Sequence, residues 1–310
     1  MGRKATFLSS REWSTSPWAI HSKSHFDGLL DIAAPLSKLT EETYMLNPLS
    51  DKTASLLRLD LISRYWQIHD RLQKWYISLE ELNGGDPLYT VCTADDVAND
   101  CGLHSTPQHR VFSSHFHFQD LEIARRLLFF WSFMCIVSNG IWWEHRALRG
   151  EGSDYKMCRS CSWAVKQPCL CNRKLPALEF MDSKMRQPLG VPDLFVLADN
   201  ISRSVKYLLQ PGMKGVGAEI CVFPLRVAYE AYRFRDDQER LSWVFDIFKE
   251  LEDRGISWST SLVCMQFPNY RDQSQRGQIV AQDGCGVISL SDSDATEETI
   301  GIELVDFIVV

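Results

Sequence analysis

Residues 127–137 read LLFFWSFMCIV, an apolar run entered through Arg125 and Arg126 and left through Ser138, Asn139 and Gly140. A run with no polar face cannot sit on a protein surface, so it is either buried in a core or embedded in a membrane. Its eleven residues fall short of the roughly 18 needed to span a bilayer. The run therefore predicts a central helix from about Gln119 to Ala147, buried on every side, with the rest of the chain packed around it.

The flanking sequence supplies helices for that packing. Leu29, Leu30, Ile32, Ala33 and Leu36 share one face of a helix, with Pro35 placed to kink or divide it. The clearest helical spacing runs from Asp51 to Leu82. There Leu56, Leu59, Ile62, Trp66, Ile68, Leu72, Trp75, Tyr76 and Leu79 recur at steps of three and four, and Asn83-Gly84-Gly85 gives a C-cap signal. Residues 84–112 show no period and are expected to form a loop. Helical spacing returns at 192–209, at 218–234 beyond the Pro211-Gly212 break, and from an Asp N-cap at 236–237 through Leu241, Val244, Phe245, Phe248 and Leu251 to Gly255. There is no repeat of fixed period and no alternation of strands with helices. The expected fold is all-α, a bundle of antiparallel helices. It comprises an extended arm at 1–25, a helical domain at 26–265 with an irregular cysteine-containing insertion at 149–192, and a flexible acidic tail at 266–310. The tail after Pro268 sets eight carboxylates against Arg271 and Arg276. Its β-prone runs are Gly286–Leu290 and Ile300–Val310.

Charge and motifs narrow the function. The net charge of −7 disfavours direct nucleic-acid binding, which calls for a basic surface. MGRKATFLSSREW has a charged start without an apolar stretch behind it, unlike an export signal, so the ten cysteines are expected as reduced thiols or metal ligands. No G-x-S-x-G, H-E-x-x-H, phosphate-binding loop or dinucleotide fingerprint occurs, and no enzymatic activity is expected. Gly212, Gly215 and Gly217 are assigned to a turn between helices, and Asp236, Asp237 and Glu239 to the charges that favour a helix start.

Several stretches resemble, in order, the conserved helical region of fungal zinc binuclear cluster (C6 finger) transcription factors: FLSSREWSTSPW at 7–18, LLDIAAPLSKL at 29–39, RYWQIHDRLQKWYISL at 64–79, FHFQDLEIARRLLFFWS at 116–132, the segment 200–232 and ERLSWVFDIFKELEDRGISWSTSL at 239–262. In that family a six-cysteine cluster binds two zinc ions and reads DNA, and the helical region regulates activity and takes part in dimerisation. The first cysteine here is Cys92, so the resemblance implies a regulatory region without the DNA-reading cluster. It implies protein partners or a small effector, a homodimer, and a nuclear location with the cytoplasm as the alternative; the short apolar run adds the expectation of no membrane. The competing expectations are an all-α enzyme or ligand-binding protein of secondary metabolism, and an inert structural remnant.

Two local patterns carry binding chemistry. Cys158, Cys161, Cys169 and Cys171 follow C-x2-C, seven residues, C-x-C, and four thiolates on one short segment suit a tetrahedral structural zinc ion. The one-residue gap of the second pair strains chelation, so the alternative is an insertion with incidental thiols. His115 and His117, near Asp120, share a face only in a strand, and surface histidines account for them as well. The resemblance assigns the neighbouring Phe116 and Phe118 to packing. In the tail, Val287, Ile288 and Leu290 followed by Asp292 and Asp294 resemble a SUMO-interacting motif. Such a segment adds itself as a strand to a sheet edge, and phosphorylation of Ser289, Ser291 or Ser293 would add charge for a basic rim. A zinc site predicts about one zinc per chain in protein purified without chelator. A metal-free chain with four freely reactive thiols contradicts it.

Overall fold

The computed structural model describes residues 22–46, 52–93, 111–148 and 193–264, with Thr15, Trp18, Ala19 and the two residue pairs 156–157 and 164–165. The four cysteines at 158–171 and the tail residues 287–294 lie outside the described residues. Helices dominate, as the periodicity predicts: α1 His25–Ala33, α2 Leu36–Leu46, α3 Lys52–Leu82, α4 Leu121–Leu148, α5 Leu194–Leu208, α6 Lys214–Arg235, α7 Gln238–Asp253 and α8 Ser259–Cys264. The class is all-α.

Helix α4 is the apolar run and its extensions. Asp120 caps its start, Oδ1 accepting from the Ile123 N–H at 2.7 Å. Every residue from Leu127 to Cys135 is buried. Helix α3 packs on one side, α5 and α6 on others, and α1 and α2 lie across the α3–α4 seam. The core is rich in touching rings. Trp75 and Tyr76 stack on Phe130, and Phe223 of α6 meets Phe129 and Phe133. No helix among the described residues is long and apolar enough to cross a membrane.

Local chemistry sets the helix ends. Ser24 and Asp27 form a capping box at α1. Pro35 divides rather than kinks its segment: it lacks the N–H that would continue the ladder, so α1 stops and α2 begins. At the end of α3, Gly84 and Gly85 take φ of 67° and 84°, and the Gly85 N–H returns to the Glu80 carbonyl. Asp193 caps α5 and Asp237 caps α7, while Asp236 holds the left-handed closing position of α6.

The structure corrects several expectations. Residues 84–112 are not all loop. Tyr89–Thr93 forms β1, paired antiparallel with β2, Ser114–Phe118, in a register that sets Tyr89 opposite Phe118 and Val91 opposite Phe116. The strand forms because Tyr89, Phe116 and Phe118 pack as one aromatic layer against Trp131. Within the stretch 149–192 the described residues are a short antiparallel pair, β3 Lys156–Met157 with β4 Ala164–Val165, which leaves the expectation of a mostly irregular insertion untouched. Helix α6 starts at Lys214, so Gly215 and Gly217 are helical and only Gly212 is in the 3-10 turn Pro211–Met213. A methyl group on Gly217 would lie 2.0 Å from the Leu208 carbonyl oxygen, so this glycine lets α6 pass close to the end of α5. Leu56, assigned to the buried stripe of α3, is 69% exposed, and in α7 Trp243 and Ile247 join the core.

At Gly140 helices α3 and α4 approach closely: a methyl group there would meet the Tyr65 ring at 2.5 Å. Gly28, in the middle of α1, has nothing within 4 Å. Gly140→Ala should cost about 1–3 kcal/mol through overpacking, whereas Gly28→Ala should gain roughly 0.5–1 kcal/mol of helix propensity. Urea unfolding of both variants checks the opposite signs.

Candidate functional site

Of the residues singled out for binding chemistry, the histidine pair and the neighbouring Asp120 are placed. His115 and His117 lie on β2, the strand that leads into α4. Phe116 and Phe118 between and beyond them are buried, at 1% exposure each. His117 is exposed and its ring meets Tyr207 edge-on at 5.3 Å. Among the described residues no three His, Cys, Asp or Glu side chains converge as a metal site. Cys135 and Cys221 are fully enclosed, and burial pushes both thiols up, which suppresses the thiolate that nucleophilic chemistry requires.

Among the described residues, polar clusters inside the helical body were not anticipated. The largest joins α5, α6 and α7. Asp199 and Ser202, one helical turn apart, both face Tyr232 of α6. The Tyr232 hydroxyl donates to Asp199 Oδ1 at 2.9 Å, which leaves Ser202 Oγ, also at 2.9 Å, as donor to the phenol oxygen. Arg240, in the first turn of α7, donates from Nε to Oδ1 at 2.9 Å and from Nη2 to Oδ2 at 3.1 Å of the same carboxylate. Its Nη1 donates to the capping residue Asp237 at 2.8 Å. The guanidinium also stands over the Phe112 and Tyr232 rings. Burial, followed by the negative charge of Asp199, holds the Tyr232 phenol well above its ordinary range. Burial opposes the charge on Arg240, but hydrogen bonding and attraction to Asp199, then Asp237, hold its value up. A phenol sealed from solvent and locked as a donor is a fastening between helices, not an acid or base waiting for a substrate.

The second cluster is an ion pair in the core. Arg58 of α3 donates from Nη1 to Glu144 Oε2 of α4 at 2.8 Å and from Nη2 to the Leu46 carbonyl, the last residue of α2, at 2.7 Å. The side chains are 6% and 0% exposed. Thr43 Oγ1 and Tyr65 Oη lie 3.3 Å apart beside it. The third cluster is a serine–histidine contact, His25 Nε2 to Ser78 Oγ at 2.9 Å. The geometry of a nucleophile and base is absent there. The Ser78 hydroxyl donates to the Trp75 carbonyl of its own helix at 2.7 Å, so its proton is committed and His25 is the donor. Burial and then the nearby Arg126 charge lower the His25 value, keeping the ring neutral.

No protein-family model, no curated protein and no solved structure matches the chain.

The Asp199 cluster makes a graded prediction. Tyr232→Phe should cost about 1 kcal/mol, and Asp199→Ala more, about 2 kcal/mol, because it removes the acceptor of a buried phenol and two of the three hydrogen bonds of a guanidinium. In a double-mutant cycle the two changes should be strongly non-additive. Additive losses in urea unfolding would show that the network is not one unit.

Proposed function

We propose that the chain is a non-catalytic, transcription-related regulatory protein, of the kind formed by the helical regulatory regions of fungal zinc-cluster transcription factors, and that it acts through protein partners or a small effector. One observation carries this reading: within the described residues, the stretches that resemble that family coincide with core-forming elements. Residues 29–39 run from α1 into α2, 64–79 lie in α3, 116–132 run from β2 into α4, 200–232 from α5 into α6, and 239–262 from α7 into α8. The buried residues they contribute, among them Leu29, Trp66, Leu72, Phe116, Leu127 and Tyr232, belong to one continuous core. The clusters inside that core support the same reading, since each is arranged to hold helices together. A nuclear location goes with it. On this reading the tail residues Val287, Ile288, Leu290, Asp292 and Asp294 form the contact for a SUMO-like modifier, and Cys158, Cys161, Cys169 and Cys171 hold a structural zinc.

The test is recruitment to a promoter. Residues 1–310 fused to an unrelated DNA-binding domain should raise or lower transcription of a fungal reporter relative to that domain alone. The triple variant Val287→Ala, Ile288→Ala and Leu290→Ala should blunt the response. A folded, nuclear fusion that leaves the reporter unchanged contradicts the proposal.

A further inference from the structure

Glu144 has no exposed surface, and its charge is held by one guanidinium, with the Thr43 hydroxyl beside it. Among the described residues its second oxygen, Oε1, has no hydrogen-bond partner. Arg58 spends its other arm on the C-terminal carbonyl of α2, so one side chain ties the buried carboxylate of α4 to the end of another helix. Helix α2 has 11 residues, too few to persist in water alone, so its helicity depends on staying docked. Its other fastenings are the Thr43–Tyr65 contact, the ion pair of Glu42 with Arg64, and the buried Leu36, Leu39 and Leu46.

We propose that the Arg58–Glu144 pair is a pH-sensitive latch on α2, whose release is favoured as the pH rises. When α2 lifts away, water reaches Glu144. A carboxylate with one bonded oxygen in a dry core gains more from hydration than a neutral carboxyl does. Burial accordingly pushes the Glu144 carboxyl above its ordinary value, outweighing the opposite pull of Thr43 and Arg58. The docked state thus holds the proton more tightly than the open state, and opening releases it. The contribution of this group to docking is complete below the ordinary carboxyl value and is lost as pH rises through the raised docked-state value; above that it is constant. The groups that act on the carboxyl are Arg58 from α3 and Thr43 from α2, which in turn bond to the Leu46 carbonyl and to the Tyr65 hydroxyl. His145 and Arg146 adjoin it on α4, and among the described residues no charged group of α5 or α6 acts on it. The latch does not depend on which partner the protein binds.

Hydrogen exchange of the α2 amides, in the regime that reports the opening equilibrium and corrected for intrinsic base catalysis, reads it directly. From the ordinary carboxyl value upward, the wild-type opening constant should climb by up to ~tenfold per pH unit, then level off. Glu144→Gln keeps an acceptor for Arg58 but cannot titrate, and should lose that climb. The other carboxylates on α2 are unchanged in this variant, so the difference in slope belongs to Glu144. Parallel slopes in the two proteins overturn the proposal. Should Glu144→Gln fail to fold, carboxyl carbon-13 titration of Glu144 in the wild type decides: a midpoint above the ordinary glutamate value supports the latch, and one at or below it overturns it.

Discussion

The burial of α4 is the constraint on which the rest of the structure depends. Leu127, Leu128, Phe133, Met134, Val137 and Ile141 are each at most 2% exposed. Burying each such side chain is worth roughly 1.5–3 kcal/mol, which no helix lying on a surface could recover. Neighbours are needed on every side, and the chain supplies them from before and after: α1 to α3 from the first part, and α5 and α6 from the last. Helices α7 and α8 then close over α6. Where a neighbour must come closest, bulk is removed, as at Gly140 beneath the Tyr65 ring and at Gly217 beside the Leu208 carbonyl.

Apolar burial sets which helices meet but leaves their rotation and sliding loosely fixed, because leucine and phenylalanine contacts are tolerant of register. The polar clusters supply direction. Asp199 receives Tyr232 from α6 and Arg240 from α7 on one carboxylate, so α7 can dock in one register only. Arg203 of α5 plays the same part for the hairpin, bonding to both oxygens of Ser114 and lying 4.1 Å over the Phe116 ring. Arg58 does so for α2, at the cost of enclosing a charge in the core. The clusters thus account for polar groups inside the body without invoking a substrate.

Much of the helical layout is legible in the sequence because it follows from spacing. The central helix, the division at Pro35, the glycine close of α3 and the aspartate start of α7 each rest on a few neighbouring residues. What the sequence hid depends on distant partners. Strand β1 has five residues and becomes a strand only because Tyr89 finds Phe116 and Trp131. The partners Arg58 and Glu144 are 86 residues apart, and Asp199 and Arg240 are 41 apart. A signal for the first pair did exist: Glu144 follows Trp142 and Trp143 in a helix buried all round, where a carboxylate must find a partner. The residues singled out for binding, Cys158 to Cys171 and Val287 to Asp294, lie outside the described residues, so the candidate contacts rest on spacing and resemblance alone.

A single core organised by α4 is the central claim. Its most direct test is urea unfolding followed in parallel by far-ultraviolet circular dichroism and tryptophan fluorescence, for the wild type and Phe133→Ala. Trp66, Trp75, Trp131 and Trp243 report from α3, α4 and α7, and circular dichroism reports from the helices together. One core predicts coincident transitions, and a cavity at Phe133 that shifts both midpoints downward together. Fluorescence that changes well before helicity, or a Phe133→Ala shift confined to one signal, would mean that the helices form separate cores and would contradict the account.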